Sequence, residues 1–506
     1  MSSKQQLLFN MASNWANMMV SAAIQVVLVP ILLAALGKEG YGVWALLAYG
    51  LSYPLIFERA FALAINRLVA FYRRDASRLN RCVSASFLVL NLLAAGTLLV
   101  SFVFSFFIVD VFAAIPESLA SEAQITCILV GVTLALHIAQ STFAGALRGY
   151  QYYTRCNLVM IGSNLLRAVL TVALVLGWKS IVSPQIAFAV SSFFGTVAMY
   201  WVAVKSIPDL SIQVKSVDRA TLHELWHYTG HSIARSGSTI VMFNTLTLLV
   251  GWKGSASDVA VYDIAIKLPN FLRALLGGAQ NVFLPVITTF HAEGQHARIK
   301  SVISRATRMC FVLTLPAVVL LFALSEELLY FWLRRDVSPE LILTMRVLLI
   351  SALPDALFGV WIPALVGIGR LRSLTIASVA GSVLVVLVSA VLIVLGLLSI
   401  PMVPAITMAV ILWVYRGIWL PWYGLYTLKV GIAEHVKSSL LNPLVATAAA
   451  VLLLVVGQRL GFEYAPRMIR VLSYGTLTML CFATISMREE VVRVQQWLCT
   501  RRQDCA

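Results

Sequence analysis

From Leu7 to Met487, apolar stretches long enough to cross a bilayer follow one another with only short connections between them. That recurrence leaves one kind of fold, because in hydrocarbon every backbone amide has to be bonded within its own segment, which a helix does. No stretch leaves room for a sizeable extramembrane domain, so any function is carried by the helical bundle itself. Hydrophobic residues make up 60% of the chain and charged residues 12%, with a mean hydropathy of +0.88, which excludes the soluble globular classes. The expectation is an all-α polytopic membrane protein with about fourteen transmembrane helices. Of these, span two is placed at 42–66, span eight at 259–287, span ten at 342–366, span twelve at 402–426 and span fourteen at 469–487. The N-terminus is too long in its apolar run and lacks the basic region of a cleavable signal, so it reads as the first span.

The net charge of +16 would suggest nucleic acid in a soluble protein. Here the distribution explains it, and no nucleic-acid partner is expected. With the N-terminus in the cytoplasm, the inner connections and tails hold 22 Lys and Arg and the outer connections hold eight, so the positive-inside rule places both termini in the cytoplasm. The remaining eight lie within spans: Arg59, Arg67, Arg167, Arg235, Lys267, Arg273, Arg346 and Arg416. Few acids accompany them, chiefly Glu58, Asp263 and Asp355. The seven cysteines are scattered, without metal spacing or a paired pattern, and read as reduced thiols.

The stretch from Trp226 to Glu293 concentrates this buried charge, with His231, Arg235, Asp263, Lys267 and Arg273 inside two membrane-length segments. A charged side chain near the middle of a lipid-facing helix costs roughly 2.5 to 3.5 kcal/mol on the lenient insertion scale, so three would cost about 8 to 10 kcal/mol, comparable to the stability of a domain. They must face water, protein or a ligand. On an ideal helix Asp263, Lys267, Asn270 and Arg273 fall within an arc of about 120°. Asp263 stands four residues before Lys267, the favourable order for an ion pair, which leaves Arg273 as the unbalanced cation of that face. Arg167 and Arg416 lie at similar depth by residue count. A chamber lined by three such cations would attract an anion such as phosphate, pyrophosphate or an acidic sugar, and arginine suits phosphate through its planar fork of donors. The alternative is that each cation is paired for structure alone.

The first span carries Asn10, Asn14, Asn17, Ser21 and Gln25 along one helical face. This stripe serves either as interhelical glue or as one wall of a wet cavity. Glu58 and Arg59 are adjacent and so point about 100° apart, and each needs its own partner or water. His137, His227 and His231 are either hydrogen-bonded packing residues or take part in proton coupling, and His231, one turn before Arg235, is the best placed for the second role. Trp226, Trp252, Trp361, Trp413, Trp419 and Trp422 offer rings for stacking against sugars, although interfacial anchoring is the plainer role for most of them, the run Trp413 to Tyr426 with Arg416 inside it being the best exception. No phosphate loop, metal-ligand cluster or catalytic triad spacing is found, so neither an enzyme nor a cofactor or metal is expected.

The two halves of the chain match at an offset of 218. Val43 and Trp44 fall on Val261 and Tyr262; Ala146, Leu147 and Gly149 fall on Ala364, Leu365 and Gly367; Asn17 falls on Arg235. An even number of spans per half preserves orientation, so the pattern is a parallel repeat of two six-helix lobes. The expected organisation is an N-lobe at 1–205, a cytoplasmic linker at 206–225, a C-lobe at 226–428, two C-terminal helices within 429–487 and a cytoplasmic tail at 488–506.

Three of these stretches carry a family resemblance. They are Leu36 to Trp44 opening span two, Phe143 to Gln151 with its Phe-x-Gly-x-Leu-Arg-Gly-x-Gln pattern, and Val261-Tyr262 followed by Ala265, Lys267 and Pro285. In their order and spacing the chain resembles the oligosaccharide flippases of bacterial polysaccharide export, within the multidrug/oligosaccharidyl-lipid/polysaccharide exporter superfamily. It departs from them at Glu58-Arg59-Ala60, where many relatives have Asp-x-Gly. The resemblance implies two lobes rocking around a central cavity in the bacterial inner membrane, and a cargo of undecaprenyl-pyrophosphate-linked oligosaccharide flipped from the cytoplasmic to the periplasmic leaflet. It also implies H+ or Na+ as coupling ion, with Asp263, Asp355, Glu58 and His231 as candidate carriers, and a polysaccharide polymerase with its chain-length regulator as partners. On that reading Arg235, Lys267, Arg273, Arg167, Arg59 and Arg416 line the cationic cavity, and Asn14, Asn17 and Gln25 bond the sugars. Two other functions remain open: a drug or metabolite antiporter of the same superfamily, which should prefer an acidic cavity, and a membrane polymerase or transferase, which should carry a large outer loop.

Overall fold

A single glycine interrupts the first long helix. Gly37 has φ 71° and ψ 177° inside α1 (Ser3–Gly50), a conformation that glycine adopts without a Cβ penalty, so α1 holds the first span and the opening of the second. The computed structural model describes residues 3–280 and 282–459 together with Thr476 and Thr478. Most of span fourteen, the tail and most of the last connection lie outside the described residues. Of His231 and Arg235 only the backbone is described.

The chain forms two compact units, Met1–Ile264 with Ser378–Pro404, and Ala265–Ala377 with Ala405–Ala506. The first holds α1, α2 (Leu55–Phe71), α3 (Ala76–Ser105), the short α4 (Ile108–Val111), α5 (Ala120–Gly149), α6 (Tyr153–Gly177), α7 (Val182–Ser206), α8 (Arg219–Lys253) and the start of α9 (Ala256–Gln280). The second holds the rest of α9, α10 (Phe283–Ala292), α11 (His296–Ala323), α12 (Ser325–Leu333), α13 (Pro339–Phe358) and α14 (Trp361–Gly367). Next, α15 (Leu371–Leu395) begins in the second unit and α16 (Met402–Leu412) ends in it; a π-helical turn Trp413–Trp419, α17 (Leu420–Leu428), α18 (Ile432–His435) and α19 (Leu441–Arg459) complete it. Among the described residues there is no strand, and ten helices are long and apolar enough to cross a membrane. The protein is an all-helical, multi-pass membrane protein. Ten is compatible with about fourteen, since α1 contains more than one expected span, α8 is too polar to qualify by hydropathy alone, and most of the last span is outside the described residues.

Three spans that read as continuous in sequence are broken. Span two turns at 51–54, where Pro54 enters α2 without an amide hydrogen to donate; span ten divides at Gly359 and Val360; span twelve passes through the π-helical turn. At Gly359 the reason is close packing, because a Cβ there would lie 2.3 Å from both the Asp355 carbonyl and Gln280 Oε1. Broken helices at membrane depth are tolerated only where protein or water satisfies the freed backbone groups, and in transporters they mark binding regions.

The 218-residue offset reappears in the backbone. At the end of α5, Tyr150 N–H donates to Ala146 O at 3.1 Å, Gln151 N–H to Arg148 O at 2.9 Å and Tyr152 N–H to Leu147 O at 2.9 Å. At the end of α14 the same three bonds run from Ile368 to Ala364 at 3.2 Å, Gly369 to Val366 at 3.0 Å and Arg370 to Leu365 at 2.8 Å. Gln151 and Gly369, 218 apart, both have left-handed φ, 64° and 81°, the Schellman geometry of a helix end. The packing partners carry the offset too: Gly149 abuts Val69 and Gly367 abuts Ile287.

The two glycines are not equally constrained. A Cβ on Gly149 would lie 2.7 Å from Val69 Cβ and 2.8 Å from the Asn66 carbonyl, whereas one on Gly367 would lie 3.2 Å from Ile287 Cγ2 and Thr288 Oγ1. Gly149→Ala should therefore cost about 1–3 kcal/mol as an overpacked site, and Gly367→Ala less than about 1 kcal/mol. Thermal unfolding of the two variants in detergent checks the order, and equal midpoints would mean that α2 yields as easily as a side chain.

The first unit's core gathers Phe61, Leu68 and Val69 of α2 with Leu79 and Leu90 of α3 and Ile138, Phe143 and Leu147 of α5. The second unit's core centres on Trp361, which is fully buried, edge-on to His435 at 5.4 Å, and so close to α17 that a Cβ on Gly424 would lie 2.2 Å from its ring. Trp361 is thus a core residue and is neither a sugar platform nor an interfacial anchor. Cys82, Cys127, Cys156 and Cys310 are free and buried.

Candidate functional site

In the second unit two arginines converge on one carboxylate. Arg273 comes from α9 one turn after Pro269, Asp355 from the last turn of α13 one residue after Pro354, and Arg416 from the π-helical turn. Arg273 Nε stands 3.3 Å from Asp355 Oδ2, and Arg416 Nη1 donates to Asp355 Oδ1. The side chains of Arg273, Asp355 and Arg416 are only 10%, 11% and 17% exposed, so among the described residues the cluster is a nearly dry one in which two arginines share one carboxylate. The expectation that Arg273 alone is the unbalanced cation is corrected: it shares an acid with Arg416, 143 residues later in sequence, and the surplus charge belongs to the pair.

The neighbours fix this geometry. Arg273 Nη1 donates to Asn270 Oδ1 at 2.8 Å and Nη2 to Ser351 Oγ at 2.6 Å. Gln280 Nε2 donates to the carbonyls of Asp355 and Ala356 at 3.1 and 3.0 Å, holding the end of α13. Trp413 Nε1 donates to Ile350 O at 3.1 Å, anchoring the π-helical turn to α13. Arg416 lies over the Tyr415 ring at 5.6 Å and its Nε is buried without a hydrogen-bond partner. Guanidinium forks bind carboxylate and phosphate through paired charge-assisted bonds, and Asp355 occupies such a position between the two arginines. Lys267, on α9, is half-buried. Arg346, by contrast, spends its Nε on Phe322 O and Ser325 Oγ at 3.2 and 2.7 Å, a helix-end contact that is structural.

The first unit disposes of its polar groups differently. Asp263 is fully buried and accepts from Tyr41 Oη at 2.5 Å and Tyr49 Oη at 2.9 Å. Glu58 is buried and accepts from Ser141 Oγ, while Arg59 is exposed, the divergence that adjacent helical positions require. Arg167 sits over the Phe188 ring at 4.8 Å with its Nε buried and without a hydrogen bond. Much of the α1 stripe is interhelical: Asn157 Nδ2 donates to Asn14 Oδ1 at 2.7 Å and Ser13 Oγ at 2.9 Å, Asn164 Nδ2 donates to Ser21 Oγ at 2.9 Å, and Asn10 Nδ2 donates to Gln151 O at 3.1 Å. Asn17 keeps a buried Oδ1 without a partner, and Gln25 is exposed. Asn157 and Asn164 escaped the sequence reading, although their spacing of seven places them on one helical face.

The chain matches the family model described as polysaccharide biosynthesis protein over residues 74–335, just over half its length. It is 22% identical to the uncharacterized membrane protein EpsK of Bacillus subtilis (strain 168) over 363 residues, which cover 70% of this chain and 71% of that protein. Among solved structures it is similar to the lipid II flippase MurJ in an inward closed conformation, with 16% identity, a TM-score of 0.70, and 96% of this chain and all of that one covered. An inward-facing multidrug resistance MATE family transporter of the MOP superfamily also aligns, with 16% identity, a TM-score of 0.69, and 83% of this chain and 99% of that one covered. A third is a MOP superfamily transporter from Pyrococcus furiosus, whose binding pocket of reverse polarity suggests a different function for it, at 18% identity and a TM-score of 0.60, with 83% of this chain and 96% of that one covered. At these identities the likenesses establish a fold shared with MurJ and the MATE transporters. The match over 74–335 establishes the family: the chain belongs to the polysaccharide biosynthesis proteins.

Proposed function

We propose that this protein flips undecaprenyl-pyrophosphate-linked oligosaccharide repeat units from the cytoplasmic to the periplasmic leaflet of a bacterial inner membrane, with both termini in the cytoplasm. One observation carries the choice of an acidic cargo: two arginines and one aspartate, each more than four-fifths buried, meet at membrane depth with a net positive charge. An uncompensated buried charge costs several kcal/mol, so a site of this kind is sustained when an anion arrives to complete it. Family membership in polysaccharide biosynthesis and the fold shared with a lipid II flippase support the same cargo class. The multidrug reading rests on the same fold, but a cationic drug would be repelled here.

In this mechanism two six-helix lobes, 1–205 and 226–428, alternate access, Arg273 and Arg416 neutralise the pyrophosphate, and Asn17 and Gln25 remain available to the sugars. Driving the cycle needs an ion whose binding differs between the two states, and Asp263, held by two tyrosine hydroxyls, is the candidate carrier for H+ or Na+. The test is transbilayer movement of undecaprenyl-pyrophosphate oligosaccharide in proteoliposomes, with a cationic dye as control cargo. Lipid movement without dye movement is the expected result; dye movement alone would assign the protein to the antiporters.

A further inference from the structure

We infer that Asp355 is a built-in counter-anion, which occupies the arginine pair when no cargo is bound and gives way to the acidic head of the cargo. This rests on the reading of Arg273 and Arg416 as anion ligands and adds a competitor to it. The two oxygens of one carboxylate serve two different arginines, Oδ1 for Arg416 and Oδ2 for Arg273, which is the bridging that a phosphate group offers. The Arg273 contact, at 3.3 Å, is longer than a strong charge-assisted bond of about 2.7–2.9 Å.

The surroundings are arranged so that Asp355 can leave without disturbing its partners. Arg273 is oriented independently by Asn270 and Ser351, so its fork keeps its direction when the carboxylate departs. The Asp355 backbone is held by Gln280, so the exchange is a side-chain rotation and α13 stays in place. A diphosphate brings at least two negative charges where Asp355 brings one, so it neutralises the pair more completely, and the idle Arg416 Nε gains an acceptor. When the head has been delivered, the tethered carboxylate re-forms the pair and opposes rebinding. Asp355 thereby lowers apparent affinity by the fraction of time it occupies the arginines and favours release.

Geranyl diphosphate, a short prenyl diphosphate, is the probe, and its binding to the full-length protein in detergent is measured by calorimetry. Asp355→Asn is expected to bind about tenfold more tightly than wild type, equivalent to about 1.4 kcal/mol, and to flip its natural cargo more slowly because release is slowed; Asp355→Glu should stay near wild type in binding. Equal or weaker binding by Asp355→Asn, with binding lost in Arg416→Ala, would overturn the counter-anion while leaving the anion site standing. Unchanged binding in both Arg273→Ala and Arg416→Ala would overturn the anion site and the inference with it. Where Asp355→Asn does not fold, isotope-edited infrared difference spectra of the wild type decide: an aspartate carboxylate band that shifts on probe binding supports the exchange, and a bound probe with no shift excludes it.

Discussion

Asp355→Ala is expected to lower the stability of the protein by about 3–5 kcal/mol, the cost of removing the acid that Arg273 and Arg416 share in a buried ionic cluster. The cluster then holds two guanidinium groups with no carboxylate between them, both on side chains that are more than four-fifths buried. Arg416→Ala does the opposite. It leaves one arginine with one aspartate, a neutral pair, and Arg273 retains Asn270 and Ser351 as acceptors, so its stability should stay within about 1–2 kcal/mol of wild type. Asp355→Asn should fall between, because the amide oxygen still accepts from Arg416 although the charge is gone. Thermal unfolding of the three variants in one detergent gives the order directly. Equal losses for Asp355→Ala and Arg416→Ala would mean that water reaches the arginines and that the cluster is not the dry site described.

Why the sequence allowed so much of the fold and so little of this cluster follows from what a bilayer does to sequence signals. Span length and the Lys/Arg asymmetry depend on lipid and on water, and both can be read residue by residue. The repeat was visible because Ala146, Leu147 and Gly149 recur as Ala364, Leu365 and Gly367 at a place where the backbone itself recurs. Pairing between helices leaves no such trace, since lipid is as apolar as a protein core and a buried face looks like a lipid-facing one. Asp355 lies 82 residues from Arg273 and 61 from Arg416, and no local spacing rule connects them. The only local rule available paired Asp263 with Lys267, whereas the hydrogen bonds to Asp263 from Tyr41 and Tyr49 span 222 and 214 residues. The breaks at Gly359 and near Pro54 were hidden for a related reason: glycine and proline are common in membrane helices, and only the side chain they meet tells a packing glycine from a break.

The stripe on α1 shows how a correct observation supports two functions at once. Its spacing is genuine, and Asn10, Asn14 and Ser21 use it to join α6, while Asn17 and Gln25 on the same face are not used in this way. A polar face in a membrane helix therefore predicts polar company without saying whether that company is protein or cargo. The arginine cluster differs because its charges do not cancel. Hydrogen bonds between neutral groups can be completed inside the protein, whereas among the described residues the two arginines share one carboxylate.

Arg416→Ala should therefore separate folding from transport. The variant is expected to reach the membrane and unfold near the wild-type temperature, yet to bind the acidic head of its cargo about ten- to a hundredfold more weakly. A hydrogen bond to a charged group contributes about 1.5–3 kcal/mol, and each 1.4 kcal/mol is a factor of about ten in affinity. Arg416→Lys preserves the charge but loses the fork and the Nε donor, so it should recover only part of the loss. The measurement is flipping of undecaprenyl-pyrophosphate oligosaccharide in proteoliposomes with protein content matched by blot, at two salt concentrations. A buried pair is screened less than an exposed one, so the wild-type advantage should persist at high salt. An advantage that vanished with salt would place the decisive positive charge on the exposed surface instead, and Arg416 would then be a structural partner of Asp355.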